Sequence, residues 1–567
     1  HIAIMGLYFM KLLKKTGVPL YLSSLITITL MTCYGMMTGL STSTFRALLM
    51  FLLGVFSICI KRTYDLLSAA AVSAMLILAE NPYYLYDTAF QLSFGAIIGI
   101  GVFSPVVEML LGLHKLDKKI AAANSGSMVK RKMGRGYYTV IRGMVKGIIA
   151  SLSIQLATLP VIMQNFYQVP IYGTFINLIV VPLMSLLILT GIAAGAAGTI
   201  GLPDSIVGGI LKISYVILRL YERLAKTGTG LGGNLWITGK PALWQIVLYV
   251  LLLLLIWILY SFRKKRNSGY PAAFAVCAVI AAAICILSVR KKEDFELRAI
   301  SVGQGDCCFI KGKNTPVIII DGGSSDEKQA GRYRILPCLK ANAVHTVDYV
   351  FLSHLDSDHV NGIFEIMEDE SSGIEIKRVI IPKTEAYFLS GEQEKSENYD
   401  RLVELAKLRN IPVYLFEAGD TISEGDIRII CLSPAVSDST LWKNRTLNEN
   451  SLVLQITYLP AGFQALFAGD ISEDIEKELS DSLTHVHYLK AAHHGSKTAT
   501  SEWFLEAVDP ALTVLSAGRN NSYGHPHAET LERLKNRAFY ITYDSGQVTV
   551  KIRQGKVTVS TFCADEN

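Results

Sequence analysis

Carboxylates are scarce in the first half of this sequence. Residues 1–292 hold 7 Asp and Glu against 27 Lys and Arg, a net of +20. Residues 293–567 hold 41 acidic against 27 basic residues, a net of −14, and the two halves sum to the whole-chain +6. So uneven a balance excludes a single uniform domain and puts a break at RKKEDFELRAI, 290–300, between domains spanning 1–292 and 293–567. Patterned thiols are missing too. The nine cysteines form no repeated CxxC, and only Cys307 and Cys308 adjoin, which argues against a four-thiolate zinc and leaves no disulfide framework to read. There is no Met at position 1 and no charged leader with a small-residue cleavage site, which argues against a secretory signal peptide. HIAIMGLYFM opens apolar at once, and we expect an N-terminal region to precede it.

Apolar text is abundant, at 51% of residues. A membrane helix needs about 20 mostly apolar residues. Residues 243–262, LWQIVLYVLLLLLIWILYSF, meet that length and run into Arg263–Arg266, and 271–289 runs into Arg290–Lys292. Further spans are expected near 18–39, 45–60, 66–81, 88–113, 147–165 and 170–200. Residues 205–226 carry Lys212, Arg219, Glu222 and Arg223 at helical spacing and suit an interfacial amphipathic helix. Polar and breaker residues interrupt the spans at 81–95 and 157–183. Such breaks either line a cavity or are absorbed by hydrogen bonds between helices, with Asp87, Gln91 and Asn177 the residues in question. The segment 114–147, with nine basic residues against Asp117, is expected on the cytoplasmic side, as is RKKR at 263–266. The last span then carries 293–567 outside, although Arg290–Lys292 oppose that placement.

Beyond residue 293 the pattern shortens. FELRAISVG, CCFIKG, TPVIIIDGG, VDYVFLSH, IKRVIIP, IPVYLF, DIRIICLSP, SLVLQITYLP and FQALFAGD read as strands. ILPCLKANAV, ISEDIEKELSDSL and HAETLERLKNRA read as helices. Interleaving of this kind predicts a layered α/β domain.

The chemistry gathers in SHLDSDHVNG, 353–362, which puts His354, Asp356, Asp358 and His359 in a short loop after an apolar strand. Unpaired, those carboxylates repel and desolvate poorly. A divalent cation would neutralise them and accept the imidazoles, whereas the alternative is a solvated turn. Nine of the eleven histidines lie beyond residue 293. His493 and His494 precede Gly495, Asp470 ends the strand of LFAGD, Asp321 ends VIIIDGG, and His525 sits in NSYGHPH. Four clusters at element ends favour a metal site over scattered surface histidines.

The order DGG, SHLDSDHVNG, FAGD, HHGS resembles the metallo-β-lactamase superfamily, whose fold is a sandwich of two sheets flanked by helices. That superfamily usually reads HxHxDH; here Asp356 stands in place of the second His. The HxDxDH variant, VGQGD at 302–306, HHGS at 493–496 and YGHP at 523–526 resemble the extracytoplasmic domain of ComEC-type competence proteins. TGLSTSTFRALLM (38–50), NPYYLYDTAFQLSF (81–94), NLIVVPLMSLL (177–187) and the opening HIAIMG resemble the same family's membrane half. The resemblance implies a polytopic α-helical membrane domain followed by an αββα domain, in the cell membrane.

It also implies two divalent metal ions, Zn or Mn. His354 and Asp356 would hold one, Asp358 and His359 the other, with Asp470 bridging and His494, ranked above His493, completing the second. No His occurs between 360 and 469, so Asn450 stands where the first metal's third ligand is expected. Asp306 and Asp321 would orient ligands. Asp358 and His525 carry the catalytic assignments, His525 as a proton donor, a phosphate contact or a structural residue. Lys497 is a phosphate contact or a solvated lysine. The implied function is DNA uptake in natural competence, with a single-strand channel and a nuclease that degrades the other strand. The implied partners are DNA, membrane lipid, a DNA receptor, a cytoplasmic ATP-driven motor and a second copy of the chain. Two alternatives stand beside it: a channel whose second domain only binds DNA, and a membrane-tethered hydrolase of another ester. A net of −14 on residues 293–567 counts against a non-specific DNA-binding surface there.

Overall fold

A computed structural model describes residues 2–110, 128–266, 273–384, 393–435 and 446–563. The chain forms two compact units, His1–Val289 and Arg290–Asn567. Asp117, His114 and the early part of the basic segment lie outside the described residues.

In the first unit, six helices among the described residues are long and apolar enough to cross a membrane. They are Leu20–Met37, Thr42–Cys59, Thr88–Met109, Arg142–Phe166, Gly173–Thr199 and Leu243–Phe262, with shorter apolar helices at Leu66–Glu80 and Phe274–Ser288. Of HIAIMG, read only as a stretch ahead of the spans, residues 2–6 belong to a helix, Ile2–Lys15. That helix comes so close to Thr42–Cys59 that a Cβ on Gly6 would lie 2.3 Å from the Phe51 ring. The breaks in the spans have local causes. Asn81 accepts the Tyr83 N–H and Pro82 starts a short turn, after which Asp87 caps the next helix through the N–H groups of Ala89 and Phe90. Asp87 also takes the Thr42 hydroxyl at 2.6 Å, and Gln91 donates to the Leu85 carbonyl at 2.9 Å. These polar groups are therefore consumed by capping and packing, whereas Asn177 is exposed. The break at QVPIYG is a strand, Gln168–Pro170, paired antiparallel with Leu235–Ile237. The charged helix is longer than expected, Asp204–Gly230. It lies antiparallel along Gly173–Thr199, through a Thr190–Ser214 hydroxyl pair at 2.7 Å and a Tyr221 hydroxyl donated to the Val180 carbonyl at 2.7 Å.

The second unit is an αββα sandwich. One sheet runs, in spatial order, Val413–Phe416, Val379–Pro382, Tyr349–Phe351, Ile318–Ile320, Cys308–Gly312, Phe295–Ala299, Val548–Arg553, Lys556–Thr561. The other runs Thr421–Glu424, Ile427–Ser433, Val453–Tyr458, Phe463–Phe467, Tyr488–Lys490, Leu512–Leu515, Phe539–Ile541. Phe295, Phe351, Leu454, Phe467 and Tyr488 fill the space between them. Two further apolar layers lie outside, one under Ser357–Glu368 and Gln393–Arg409, the other under Glu502–Val508 and Ala528–Leu534. Within each sheet some neighbours are parallel. Ile318–Ile320 runs with Tyr349–Phe351, and Phe463–Phe467 with Tyr488–Lys490 and then Leu512–Leu515. Parallel strands end together, so the loops after residues 320, 351, 467, 490 and 515 collect along one edge.

One local reading is corrected. SHLDSDHVNG is not a loop throughout, because a helix begins at Ser357 with Asp356 as its N-cap residue. Asp358 thus sits in the first turn, where the helix dipole favours a carboxylate, and the apolar Val360, Ile363, Phe364 and Met367 give the helix its buried face.

Candidate metal centre

The chain is forced into shape before any ligand is placed. Asp321, with φ +56°, takes the Ser353 N–H on one carboxylate oxygen (2.7 Å) and faces His359 Nδ1 with the other (3.2 Å). Fixing Nδ1 leaves Nε2 of His359 directed inward. Gly322 donates its N–H to the His359 carbonyl at 2.7 Å, and Asp306 donates its N–H to the Asp358 carbonyl at 3.1 Å. A Cβ on Gly323 or Gly305 would strike this same turn at 2.3–2.6 Å, so the VGQGD and DGG glycines allow three backbone segments to touch. Ser353 Oγ lies 3.1 Å from His354 Nδ1 and 3.2 Å from His359 Nδ1. Ser451 Oγ stands 3.4 Å from His354 Nδ1 and accepts the Asp470 N–H at 3.3 Å.

Nitrogen and oxygen donors converge in front of these supports. Around Asp470 stand His354 Nε2 (3.9 Å), His359 Nε2 (3.5 Å), His493 Nε2 (3.8 Å) and His494 Nε2 (3.6 Å). Asp356 lies 3.5 Å from His354 Nε2, and Asp358 lies 3.4 Å from His494 Nε2. Of the residues expected at the site, the structure brings together His354, Asp356, Asp358, His359, Asp470, His493 and His494, with Asp306 and Asp321 behind them. His525 joins them, its ring centroid 5.5 Å from that of His493 and 6.2 Å from that of His494. Asn450 is fully buried and donates to the Thr446 carbonyl, its Oδ1 making no hydrogen bond among the described residues. Lys497 is exposed, and its backbone N–H is the part held, by His527 Nδ1.

Asp306, His359 and His494 offer ligand atoms within 4.8 Å of one another, as do His354, His359 and Asp470. Asp306 nevertheless suits the supporting role. Its Oδ2 pairs with the buried Lys490 ammonium at 2.8 Å, and its Oδ1 faces Nδ1 of His494 at 3.4 Å, on the far side of that ring from Asp470. Lys490 was not singled out in the sequence, although a lysine inside the apolar run YLKAA signals an internal partner. The Ser516 carbonyl, 3.1 Å from His494 Nδ1, and the hydroxyls of Ser353 and Ser451 carry no comparable signal.

The donor set fits a cation. With Nδ1 of His359 turned to Asp321 and Nδ1 of His494 turned to Ser516, the two Nε2 atoms face each other at 3.3 Å. Two lone pairs at that distance repel unless a proton or a metal ion stands between them. His354 Nε2 is buried and makes no hydrogen bond among the described residues, an expensive state that metal ligation relieves. Charges respond accordingly. Burial opposes the charged form of Asp470, yet the surrounding imidazoles outweigh it and hold this carboxyl well below its ordinary range. Asp358 is lowered in the same way, against burial, by His494 and His359. Burial also opposes the His494 imidazolium, but Asp470 and Asp306 lift it to about 10. His525 is pushed down to about 4, by burial and then by the neighbouring histidines.

Residues 1–263 match the family described as Competence protein, and residues 300–429 match the Metallo-beta-lactamase superfamily. ComE operon protein 3 of Bacillus subtilis is 25% identical over 579 residues, covering 99% of this chain and 67% of that protein. Recombination protein 2 of Haemophilus influenzae is 26% identical over 300 residues, 52% of this chain and 34% of that protein. Competence protein ComA of Neisseria gonorrhoeae is 27% identical over 236 residues, 41% of this chain and 28% of that protein. The chain thus spans about two thirds of the first relative and about a third or less of the other two. It carries a competence domain followed by a metallo-β-lactamase domain, and the latter fold implies divalent metal binding. With its apolar helices it is a multi-pass membrane protein, homologous to ComE operon protein 3 and ComA and matching the ComEC type of competence protein.

Two outcomes are expected. Replacing Asp321 with Asn should weaken metal binding about 10–100-fold by releasing the His359 ring, read by calorimetric titration of metal-stripped protein. The second concerns pH. In the metal-free protein the His494 contribution to stability is complete below its ordinary 6.5 and is lost as pH rises toward 10. The Asp470 and Asp358 contributions are present above the ordinary 3.8 and are lost as pH falls through the depressed values. Protons therefore compete with metal most strongly at low pH, and the rise in Tm on adding metal should grow between about pH 6 and 9. A rise that shrinks over that range contradicts the assignment.

Proposed function

We propose that this protein takes up DNA across the cytoplasmic membrane in natural competence. The first unit forms the path for one strand, and the second, on the outer side, hydrolyses phosphodiester bonds of the strand that is not transported. The observation that supports the hydrolytic part most directly is the facing pair of His359 and His494 Nε2 atoms beside the buried Asp470 carboxylate.

In this reading His354 and Asp356 would hold one divalent ion, and Asp358, His359 and His494 the other, with Asp470 within reach of both groups. His493 takes the place left by the missing third histidine, because its Nε2 reaches Asp470 on the half-exposed side of the centre. Asn450, fixed by Thr446, supports this region from within. When bound, the ions supply Lewis acidity and lower the pKa of coordinated water. The mixed set of imidazoles and carboxylates, with no thiolate, suits Zn²⁺ and admits Mn²⁺. The chain's own residues do the positioning. Asp358, in the first turn of its helix, keeps its carboxylate ionised and aimed at His494. His525, neutral at physiological pH and stacked on Tyr523 at 5.7 Å, presents an imidazole to a phosphate oxygen near His493. DNA arrives through a receptor and is drawn in by a cytoplasmic ATP-driven motor, which removes the need for a basic nuclease face.

The test uses the full chain in detergent or nanodiscs with end-labelled duplex DNA. Added Mn²⁺ or Zn²⁺ should produce cleavage, Asp358→Ala should reduce it by at least about 10²-fold, and His493→Ala should lower the metal content by about one ion per chain. Metal-loaded protein that binds DNA without cleaving it, together with normal transformation by Asp358→Ala cells, would instead establish the binding-only alternative.

A further inference from the structure

We infer that Tyr523 is a stacking platform for an unpaired nucleobase at the mouth of the metal centre, so that the centre takes a strand already separated from its complement. The class of ligand rests on the nuclease reading above, and the residue is assigned by geometry within the second unit.

Three rings lead outward from the centre. The His525 ring lies 6.2 Å from that of His494 at 26°, and the Tyr523 ring lies 5.7 Å from that of His525 at 21°. Both spacings are those of stacked aromatic pairs. Burial falls along the series, from His494 at 2% exposure through the half-buried His525 to Tyr523 at 57%. Tyr523 thus turns one face to His525 and leaves the other to solvent, where a further flat ring can continue the series.

An exposed aromatic ring is ordinary in itself. This one is held rigidly. Asn521 Oδ1 accepts the N–H groups of Tyr523 (3.1 Å) and His525 (3.0 Å), and its Nδ2 donates to the carbonyls of Gly518 and His525. The same loop is fastened to the HHGS turn. His527 donates its N–H to the Gly495 carbonyl at 3.0 Å, and His527 Nδ1 accepts the Lys497 N–H at 3.2 Å. A ring already fixed against the centre loses little freedom when a ligand stacks on it.

The neighbours favour a nucleotide. Lys497 has its backbone held on both sides, by His527 and by Arg533, while its side chain is exposed and forms no ion pair among the described residues. An aromatic platform beside an unmatched ammonium is the combination from which single-strand sites are built. A tyrosine that anchors a protein partner sits in the apolar middle of a patch, whereas Tyr523 is flanked in the chain by Ser522 and Gly524 and backed by His525. Inside a duplex both faces of a base are already stacked, and exposing one costs unpairing. The platform therefore selects a separated strand.

The experiment uses the full chain in detergent or nanodiscs with Mn²⁺, carrying Asp358→Ala to prevent turnover, and short single-stranded oligonucleotides. Each carries 2-aminopurine or an abasic site at one of successive positions. At one position 2-aminopurine should be quenched by the protein and an abasic site should weaken binding about tenfold. Adding Tyr523→Ala should abolish the quenching and weaken the intact strand by the same factor, with the abasic site then costing nothing more. Tyr523→Phe and Tyr523→Trp, which keep a π-face, should retain both signals. An abasic cost that persists in Tyr523→Ala, or that is absent at every position, overturns the inference. So does a Tyr523→Ala loss that is equal on intact and abasic strands, which would make Tyr523 a support for His525. A blunt duplex that loses as much affinity in Tyr523→Ala as the strand does overturns the selection for separated strands. Cleavage is measured in parallel with Asp358 intact. Quenching and abasic cost without cleavage leave the platform standing and remove the hydrolytic reading, whereas cleavage without either signal removes the platform alone.

Discussion

The centre depends on one buried carboxylate. Asp470 is nearly inaccessible, and a carboxylate in that state is costly unless cations or strong donors surround it. Four imidazoles from two different chain segments stand within 4 Å of it. Each segment follows the C-terminal end of a strand, and the parallel pairings in both sheets bring those ends to one edge. The sandwich therefore does more than support a motif. Its topology carries the His and Asp side chains of SHLDSDHVNG from one sheet toward FAGD and HHGS from the other.

The backbone at His493 and His494 records the same demand. Both residues take left-handed conformations, φ +48° and +52°, which non-glycine residues seldom adopt in succession. Neither ring could otherwise be placed as it is, one buried against His359 and the other half-exposed beside Asp470. Gly495 follows at φ +84°, where a Cβ would lie 2.6 Å from Pro526. That contact joins the HHGS turn to the YGHP loop and so brings His525 to the centre. Strain at two residues is held by packing at a third and by the His493 N–H on the Gly469 carbonyl at 3.0 Å.

Much of this was legible in the sequence, for definable reasons. Apolar spans and alternating strands follow from period and length alone, and the quoted strand and helix stretches correspond to elements of the structure. Metal-type residues at element ends announce themselves, which is why His354, Asp358, His359, Asp470 and His494 could be named. What escaped was set by tertiary contact. The helix starting at Ser357 was hidden because Asp and Ser are good turn residues as well as good caps. The partner of Lys490 was hidden because it is Asp306, 184 positions away in the chain. His493 was ranked second because sequence order says which residue adjoins the glycine, not that both rings reach Asp470.

The acidity of the second unit constrains how a polyanion could use this centre. Surface charges act over a Debye length of about 10 Å, so a net of −14 slows approach from bulk water but has little effect on a strand already held in place. The acidic centre itself is offset locally, by Lys490 on Asp306 and by the four imidazoles around Asp470. Attraction therefore acts at contact distance rather than at long range. Under the proposed function, such a centre would favour a strand delivered to it over free DNA. On that proposal, carrying the centre on the same chain as a multi-pass membrane unit would make delivery, rather than capture from bulk water, the way a strand reaches it.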